Sequence, residues 1–447
     1  MSWSSDFIHQ ALGIRPLTPS FSEISTDTRT LRPGGLFVAL AGERFDGHDH
    51  LAAARAAGAT GALVRKGTTG VSGLELLEAA DPLLAYGALA RAHRRSMTGP
   101  VIAITGSNGK TSTREMAAAV VRTRYATHAT RLNLNNLVGI PQTILSAPHG
   151  TESLVIEAGA SIPGEIARAR DIIEPTIVLI TTIAESHLEG FGSLEGVLRE
   201  KLTLAEGVPL AIVGAVPPML CTEARRYATR VITAGLRDAD VMPSSLTVDR
   251  DGLPAFTLDG ETVQLPLRGE HQAGNAMLVW ALGRELGISP ARMAEALASL
   301  TLPGGRGEVL HAGDLTIVHD AYNANPASFQ AAIATARAMR QGRRLVFVAG
   351  SMRELGTDSD RLHQAIAEEL VALNPDVLAV VGDFVTPVSA ARAGLTGELI
   401  TADDAPALGP LLASRIRGDE LIVLKASRGV ALERILPYLG VREGAGH

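Results

Sequence analysis

The strongest constraint on the fold is a rhythm. Short apolar runs rich in β-branched residues recur along the chain: "VIAITG" from Val101, "SLVIEAG" from Ser153 and "TIVLITTI" from Thr176. They return later as "LTIVHDAY", "RLVFVAG", "VLAVVGD" and "ELIVLKA". Helical patterns such as "NPASFQAAIATARAMR" lie between them. Strands covered on both faces read as continuous apolar runs, and parallel neighbours need a crossover helix between them. The alternation therefore predicts an α/β protein with mainly parallel sheets. An earlier block, with the strand "GGLFVAL" and the helix–turn–strand pattern "HLAAARAAGATGALV", stands apart. We expect three domains: 1–82, a central domain 83–311 around a P-loop-type parallel sheet, and a Rossmann-like α/β domain 312–447.

Composition narrows the function. The 447 residues are 46% apolar and 20% charged, a globular mix. A net charge of −6 gives no basic footprint for nucleic acid. The single cysteine, Cys221, excludes a disulfide framework and a cysteine zinc cluster. The start has no signal-peptide pattern and no run of ~20 apolar residues appears, so a cytoplasmic protein without a membrane span is expected.

Chemistry concentrates after the strand at Val101. In "VIAITGSNGKTST" a glycine-rich turn leads into a helical pattern. Such a turn aims backbone N–H groups and the positive end of the helix dipole at an anion. Gly106 and Gly109 let the backbone approach phosphate, with Ser107 and Asn108 between them. Lys110 would balance the β/γ-phosphate charge, and Thr111 and Ser112 offer hydroxyls to Mg²⁺. Ile104 occupies the place where the common G-x-x-x-x-G-K-[ST] motif has its first glycine, which marks a variant loop. The alternative is a helix cap with a solvated lysine. Glu157 ends a strand beside this loop and is placed to hold Mg²⁺, or is a solvated strand-end carboxylate. His187 follows the next strand and is either structural or part of the site. Lys201, on its own merits, is a surface helix lysine.

The motifs taken in order resemble the Mur ligases, ATP-dependent enzymes that add amino acids to the peptidoglycan precursor. They are "STDTRTLRPGG", "ITGSNGKTST", "LNLNNLVGIPQTIL", "EAGASIPGEI", "SHLEGFGSLEGV", "GEHQAGN", "LPGGRGE", "HDAYNANPAS" and "MRELG". The family's short phosphate loop accounts for Ile104. The resemblance implies roles at matching positions. Lys110 and Thr111 would hold ATP phosphates and Mg²⁺, with Glu157 and His187 at metal-associated positions. Lys201, fourteen residues after His187, would be carbamylated, turning a cation into an anion that can join magnesium chemistry. Asn275 would contact adenine, and Arg306 and Asp320 phosphate and ribose. Thr28 and Arg29 would meet the uridine diphosphate. Asn136, Asn323 and Asn325 would lie near the muramyl peptide and the amine.

The implied reaction joins D-Ala-D-Ala to UDP-muramyl-tripeptide through an acyl phosphate, in a monomer. Some positions depart from the family pattern. Ser351 stands for a frequent Asp, Ala426 for a glycine and His319 for an acid. Acceptor choice is therefore where the chain should differ from its relatives. A Mur-type or folylpolyglutamate-type ligase with another acceptor, and a non-catalytic nucleotide-binding scaffold, are the alternatives.

Overall fold

The computed structural model describes residues 2–14, 20–43, 45–301 and 305–441, so the start of "LPGGRGE" lies outside it. The chain packs as two compact units. One comprises Met1–Ala103, Tyr125–Ala160 and Gly164–Ile177; the other comprises Ile104–Arg124, Ser161–Pro163 and Val178–His447.

In the first unit β1 (Ile24–Ser25), β2 (Leu36–Val38), β3 (Gly61–Arg65) and β4 (Glu75–Ala79) form a parallel sheet in sequence order. Phe37, Ala62 and Val64 bury one face against Leu51 and Ala54 of the 51–56 helix. The Pro82–Arg94 helix follows. Asp81 caps it by accepting from Leu83 and Leu84 N–H, and Pro82 fills the first helical position, where no donor is lost. β5 (Val101–Thr105) begins in this unit, which also holds the parallel pair β6 (Thr127–Ala129) and β7 (Ser153–Glu157).

The second unit carries the end of β5 and the Lys110–Arg122 helix. It continues with β8 (Ile177–Ile180), β9 (Leu210–Gly214) and β10 (Arg230–Ala234), side by side in that order. An antiparallel meander follows: β11 (Ser245–Val248), β12 (Pro254–Leu258) and β13 (Glu261–Gln264). The last sheet contains β14 (Glu308–Ala312), β15 (Leu315–Asp320), β16 (Leu345–Ala349), β17 (Val377–Val381), β18 (Glu398–Ala402) and β19 (Leu421–Lys425). Its order is β14-β15-β19-β16-β17-β18; only β14 runs antiparallel to its neighbour. Ile317, Val346, Val348, Ala379, Ile422 and Leu424 lie in one core, as the apolar runs require. Among the described residues, no helix is long and apolar enough to cross a membrane.

One buried histidine fixes a loop in this last sheet. His363 accepts from Met352 N–H through Nε2 (3.0 Å) and donates from Nδ1 to Ser359 O (2.8 Å), which sets its neutral tautomer. Burial holds its pKa below the usual value, against the opposing effects of the hydrogen bond to Ser359 and of Asp383 and Asp360. Burial acts the same way on His93 and His319. Each folded-state pKa lies below the unfolded value of 6.5, so the unfolded chain binds more protons in that range. Their contribution to stability is present above the unfolded pKa and is lost as pH falls below it. The urea midpoint should therefore drop between about pH 7.5 and about pH 5, with a shallower drop in His363→Gln. A midpoint with no such slope, or an unaltered slope in the variant, contradicts this account.

Candidate active site

The phosphate-loop sequence forms a turn from the end of β5 to the Lys110–Arg122 helix. Ile104 is a fully buried strand residue, so the turn begins only at Gly106. Gly106 has φ +143°, and a Cβ there would lie 2.0 Å from Thr181 Oγ1. Gly109 has φ +77°, and its Cβ would lie 2.6 Å from Asn275 Oδ1. Both glycines are thus demanded by close neighbours as well as by backbone conformation. Ser107 Oγ donates to Ala184 O (3.0 Å) and accepts from Ala184 N–H (2.9 Å). Thr181 Oγ1 donates to Asn108 O (2.5 Å). Lys110 Nζ, at the first helical residue, donates to Gly106 O (2.7 Å) and Ser107 O (3.2 Å). Thr111 and Ser112 are buried in the same helical turn. Thr181, which braces the loop on both sides, was not singled out by the sequence.

Other candidates in the second unit gather near this loop or across from it. Asn275, against Gly109, donates to Gln272 Oε1 (3.1 Å). Asn325 exchanges amide hydrogen bonds with Asn108. His187 caps the 188–191 turn with φ +53°, and its Nδ1 is hydrogen-bonded to Glu354 Oε2. That bond holds the Glu354 carboxyl below its ordinary pKa, against the opposing effect of burial. Glu354 lies in "MRELG", a motif noticed as a whole, but nothing in the sequence pairs it with a residue 167 positions away.

Lys201 is the clearest correction. It is 1% exposed, not a surface lysine, and its Nζ lies 5.4 Å from the centroid of Phe191. The same ring packs edge-on to His187, with centroids 6.3 Å apart. Phe191 thus links the two positions that the spacing of fourteen residues had related only along the chain.

At the strand ends of the last sheet, Asp320 Oδ2 accepts from Lys425 Nζ (2.7 Å), which also donates to Asn323 O (2.9 Å). Asp320 and Lys425 are register partners on β15 and β19. Asn323 is exposed, and its Oδ1 accepts from Ala324 N–H (2.9 Å). The Arg306 guanidinium sits 3.8 Å from the Tyr322 ring centroid. Ser351 is buried, and its Oγ accepts from Asp383 N–H (2.9 Å). Ala426 is fully buried. His319 is buried beside Glu308. Ser351 and Ala426 are thus both packed into the interior of this segment.

The first unit holds the remaining candidates. Glu157 is 2% exposed, which removes the solvated strand-end reading. Its Oε1 accepts from Asn135 Nδ2 (2.8 Å), and its N–H is donated to Thr130 Oγ1 (3.0 Å). Sequence reading chose Asn136 and missed Asn135; adjacent asparagines carry no sign of which one turns inward. Asn136 Oδ1 accepts from Gly139 N–H (2.8 Å) and Val138 N–H (3.2 Å), capping the Gly139–Leu145 helix. Arg29, with its side chain 86% exposed, clamps Asp27 through Nε (2.9 Å) and Nη2 (2.7 Å). That contact lowers the Asp27 pKa to about 2. Thr28, between them, is half-buried.

A nucleotide-type loop braced by a second parallel α/β segment defines a class, and family comparison agrees with it. Residues 20–94 match the Mur ligase family catalytic domain, 104–283 the Mur ligase middle domain and 305–428 the Mur ligase glutamate ligase domain. The chain belongs to the Mur ligase family. It is 33% identical to UDP-N-acetylmuramoyl-tripeptide–D-alanyl-D-alanine ligase of Bacillus subtilis (strain 168), over 93% of this chain and 92% of that one. It is 35% identical to the Escherichia coli (strain K12) enzyme of the same name, over 93% of each. Among solved structures it is similar to MurF from Acinetobacter baumannii, with TM-score 0.89, 29% identity and coverage of 98% and 99%. It is also similar to MurF ligase from Thermotoga maritima in complex with ADP, with TM-score 0.81, 28% identity and coverage of 94% and 97%.

Proposed function

We propose that this chain is an ATP-dependent ligase that joins D-Ala-D-Ala to UDP-N-acetylmuramoyl-tripeptide in peptidoglycan precursor synthesis. One observation carries the reading. Around a single Gly-Lys-Thr loop meet Asn275 from the middle of the chain and Asn325 from the last α/β segment. The near full-length relatives of that name support the choice of substrates.

The chemistry follows from the weakness of a carboxylate as an acyl donor. Its oxygen attacks the γ-phosphorus of ATP, the bond to the β-bridging oxygen breaks, and ADP leaves. The resulting acyl phosphate has a good leaving group. The neutral amine of the dipeptide attacks its carbonyl carbon. The tetrahedral intermediate loses one amine proton, which can leave on the phosphate, and it collapses with the C–O bond to phosphate broken and the peptide bond formed. The protein's part is placement and charge neutralisation. Lys110 and the loop N–H groups hold the β- and γ-phosphates. Asn275 meets adenine, and Arg306 and Asp320 meet phosphate and ribose. Thr28, Arg29 and Asn136 serve the UDP-muramyl peptide. Asn323 lies toward the amine. Domains 1–82, 83–311 and 312–447 supply the donor, nucleotide and acceptor parts of the site. The enzyme works as a cytoplasmic monomer.

Use of a magnesium ion shared with the nucleotide belongs to this reading. Among the described residues, no three His, Cys, Asp or Glu side chains cluster to cage a metal. Mg²⁺ in nucleotide sites is held by one or two protein groups plus phosphates and water. Thr111, Glu157 and His187 are the groups that would hold it, and bound there it would neutralise charge on the transferring phosphoryl group. Lys201, enclosed beside Phe191, is the position for a carbamate.

The test is phosphate release with UDP-muramyl-tripeptide and ATP against a panel of D-Ala-D-Ala, D-Ala-D-lactate, D-Ala and L-Lys. D-Ala-D-Ala should support turnover and free D-Ala should not, since a dipeptide pocket leaves polar groups unpaired around one residue. Preference for a single amino acid would identify another branch. Failure of every acceptor would remove the donor assignment too.

A further inference from the structure

Asn108 and Asn325 are 217 residues apart and exchange two hydrogen bonds. Asn108 Nδ2 donates to Asn325 Oδ1 (3.1 Å), and Asn325 Nδ2 donates to Asn108 Oδ1 (2.9 Å). Each residue is also fixed from its own side. Asn325, 2% exposed, caps the Pro326–Arg340 helix: its Oδ1 accepts from Ser328 N–H (2.9 Å) and its N–H is donated to Ser328 Oγ (2.9 Å). Asn108 is held at its carbonyl by Thr181, and the next residue, Gly109, abuts Asn275. A reciprocal amide pair closes only when the two amide planes face each other in one placement, so it transmits position as well as affinity. A second pair of segments, around residues 187–189 and 354–356, also meets. Glu354 joins His187, Glu189 N–H donates to Glu354 O (3.2 Å), and Gly356 packs on the Glu189 backbone.

Phosphate binding by such a loop uses backbone N–H groups and the lysine. The Asn108 side chain is instead committed to Asn325, and the Asn325 amide to Asn108 and Ser328.

We propose that Asn325 is a positioning residue for the phosphate loop, and that the Asn108–Asn325 pair couples nucleotide binding to acceptor binding in the last α/β segment. This rests on the reading under Proposed function. Coupling between two binding equilibria is reciprocal, so both affinities should report it.

A cycle of neutral variants tests it: Asn108→Ala, Asn325→Ser and the double variant. Serine can still cap the helix but cannot reach across to Asn108. ADP affinity, measured by calorimetry on the full chain, should fall about fivefold in each single variant, and the double should be no worse than the weaker single. The acceptor KM should rise in parallel with the loss of ADP affinity. Unchanged ADP affinity in Asn325→Ser, with only a lowered denaturation midpoint, would show a helix cap and nothing more. Effects that multiply in the double variant would show two independent positions. Should Asn325→Ser fail to fold, Asn108→Ala alone decides, and wild-type ADP affinity there overturns the proposal. If the wild-type chain binds ADP but uses no acceptor, the functional reading falls, while the cycle in ADP affinity still judges the pair.

Discussion

Lys110→Ala should fold normally and lose about a hundredfold or more of its ligase turnover. The loss follows from removing a charge-assisted contact to the phosphoryl group as it transfers. The sequence places Lys110 in a turn, and the structure refines that: it is the first residue of a helix, half-buried, with its ammonium on two loop carbonyls. Alanine is the best helix former, and Gly109 before it abuts Asn275 rather than the lysine side chain. The variant's denaturation midpoint should stay within a few degrees of wild type while phosphate release collapses. A folded variant with near-wild-type turnover removes the phosphate role from Lys110.

The second large effect belongs to Lys201. Lys201→Ala should also lose turnover by about two orders of magnitude, and added acetate or formate should restore part of it by occupying the anion position. Lys201→Arg should not recover, because a guanidinium stays cationic and forms no stable carbamate. Since Lys201 is buried, truncation opens a cavity beside Phe191, and a stability loss must be separated from a chemical one. Isotope-labelled bicarbonate does that independently of activity, since a carbamate carbon signal should appear in the wild-type chain and vanish in Lys201→Arg. Full activity in the arginine variant would show that no carbamate is needed.

The elements that sequence reading found best were those whose burial is two-sided. VIAIT, SLVIE, LVFVA and VLAVV became strands because every residue in them is covered, which leaves an unbroken apolar signature. The phosphate loop was legible because its glycines, lysine and threonine are contiguous. Long-range partners were not legible. Thr181 braces Gly106, Glu354 meets His187 and Asn325 meets Asn108 through contacts between segments that carry no shared spacing. Lys201 was misread for the opposite reason. A lysine in a polar helical pattern is usually solvated, whereas Lys201 is buried with its ammonium beside the Phe191 ring. The departures at Ser351 and Ala426 were legible because they lie in motifs, but their packing was not. Their side chains answer to local packing: a Cβ at Gly382 would come within 2.3 Å of Ser351 Oγ, and one at Gly350 within 2.9 Å of Ala426 Cβ.

The strand orders of the first and last sheets have different consequences for a chain that emerges from the ribosome from one end. β1 to β4 lie in the order in which they are made, so that sheet can close as soon as its fourth strand is available. The last sheet cannot. β19, made last, lies between β15 and β16, so the middle of the sheet is the final piece to arrive. Until then β15 and β16 present open hydrogen-bonding edges, and Asp320 waits for the lysine that will neutralise it. A nascent chain arrested before Leu421 would therefore hold a finished first sheet and a last sheet split at its centre. That state is exposed to chaperones and proteases until β19 arrives to close the sheet.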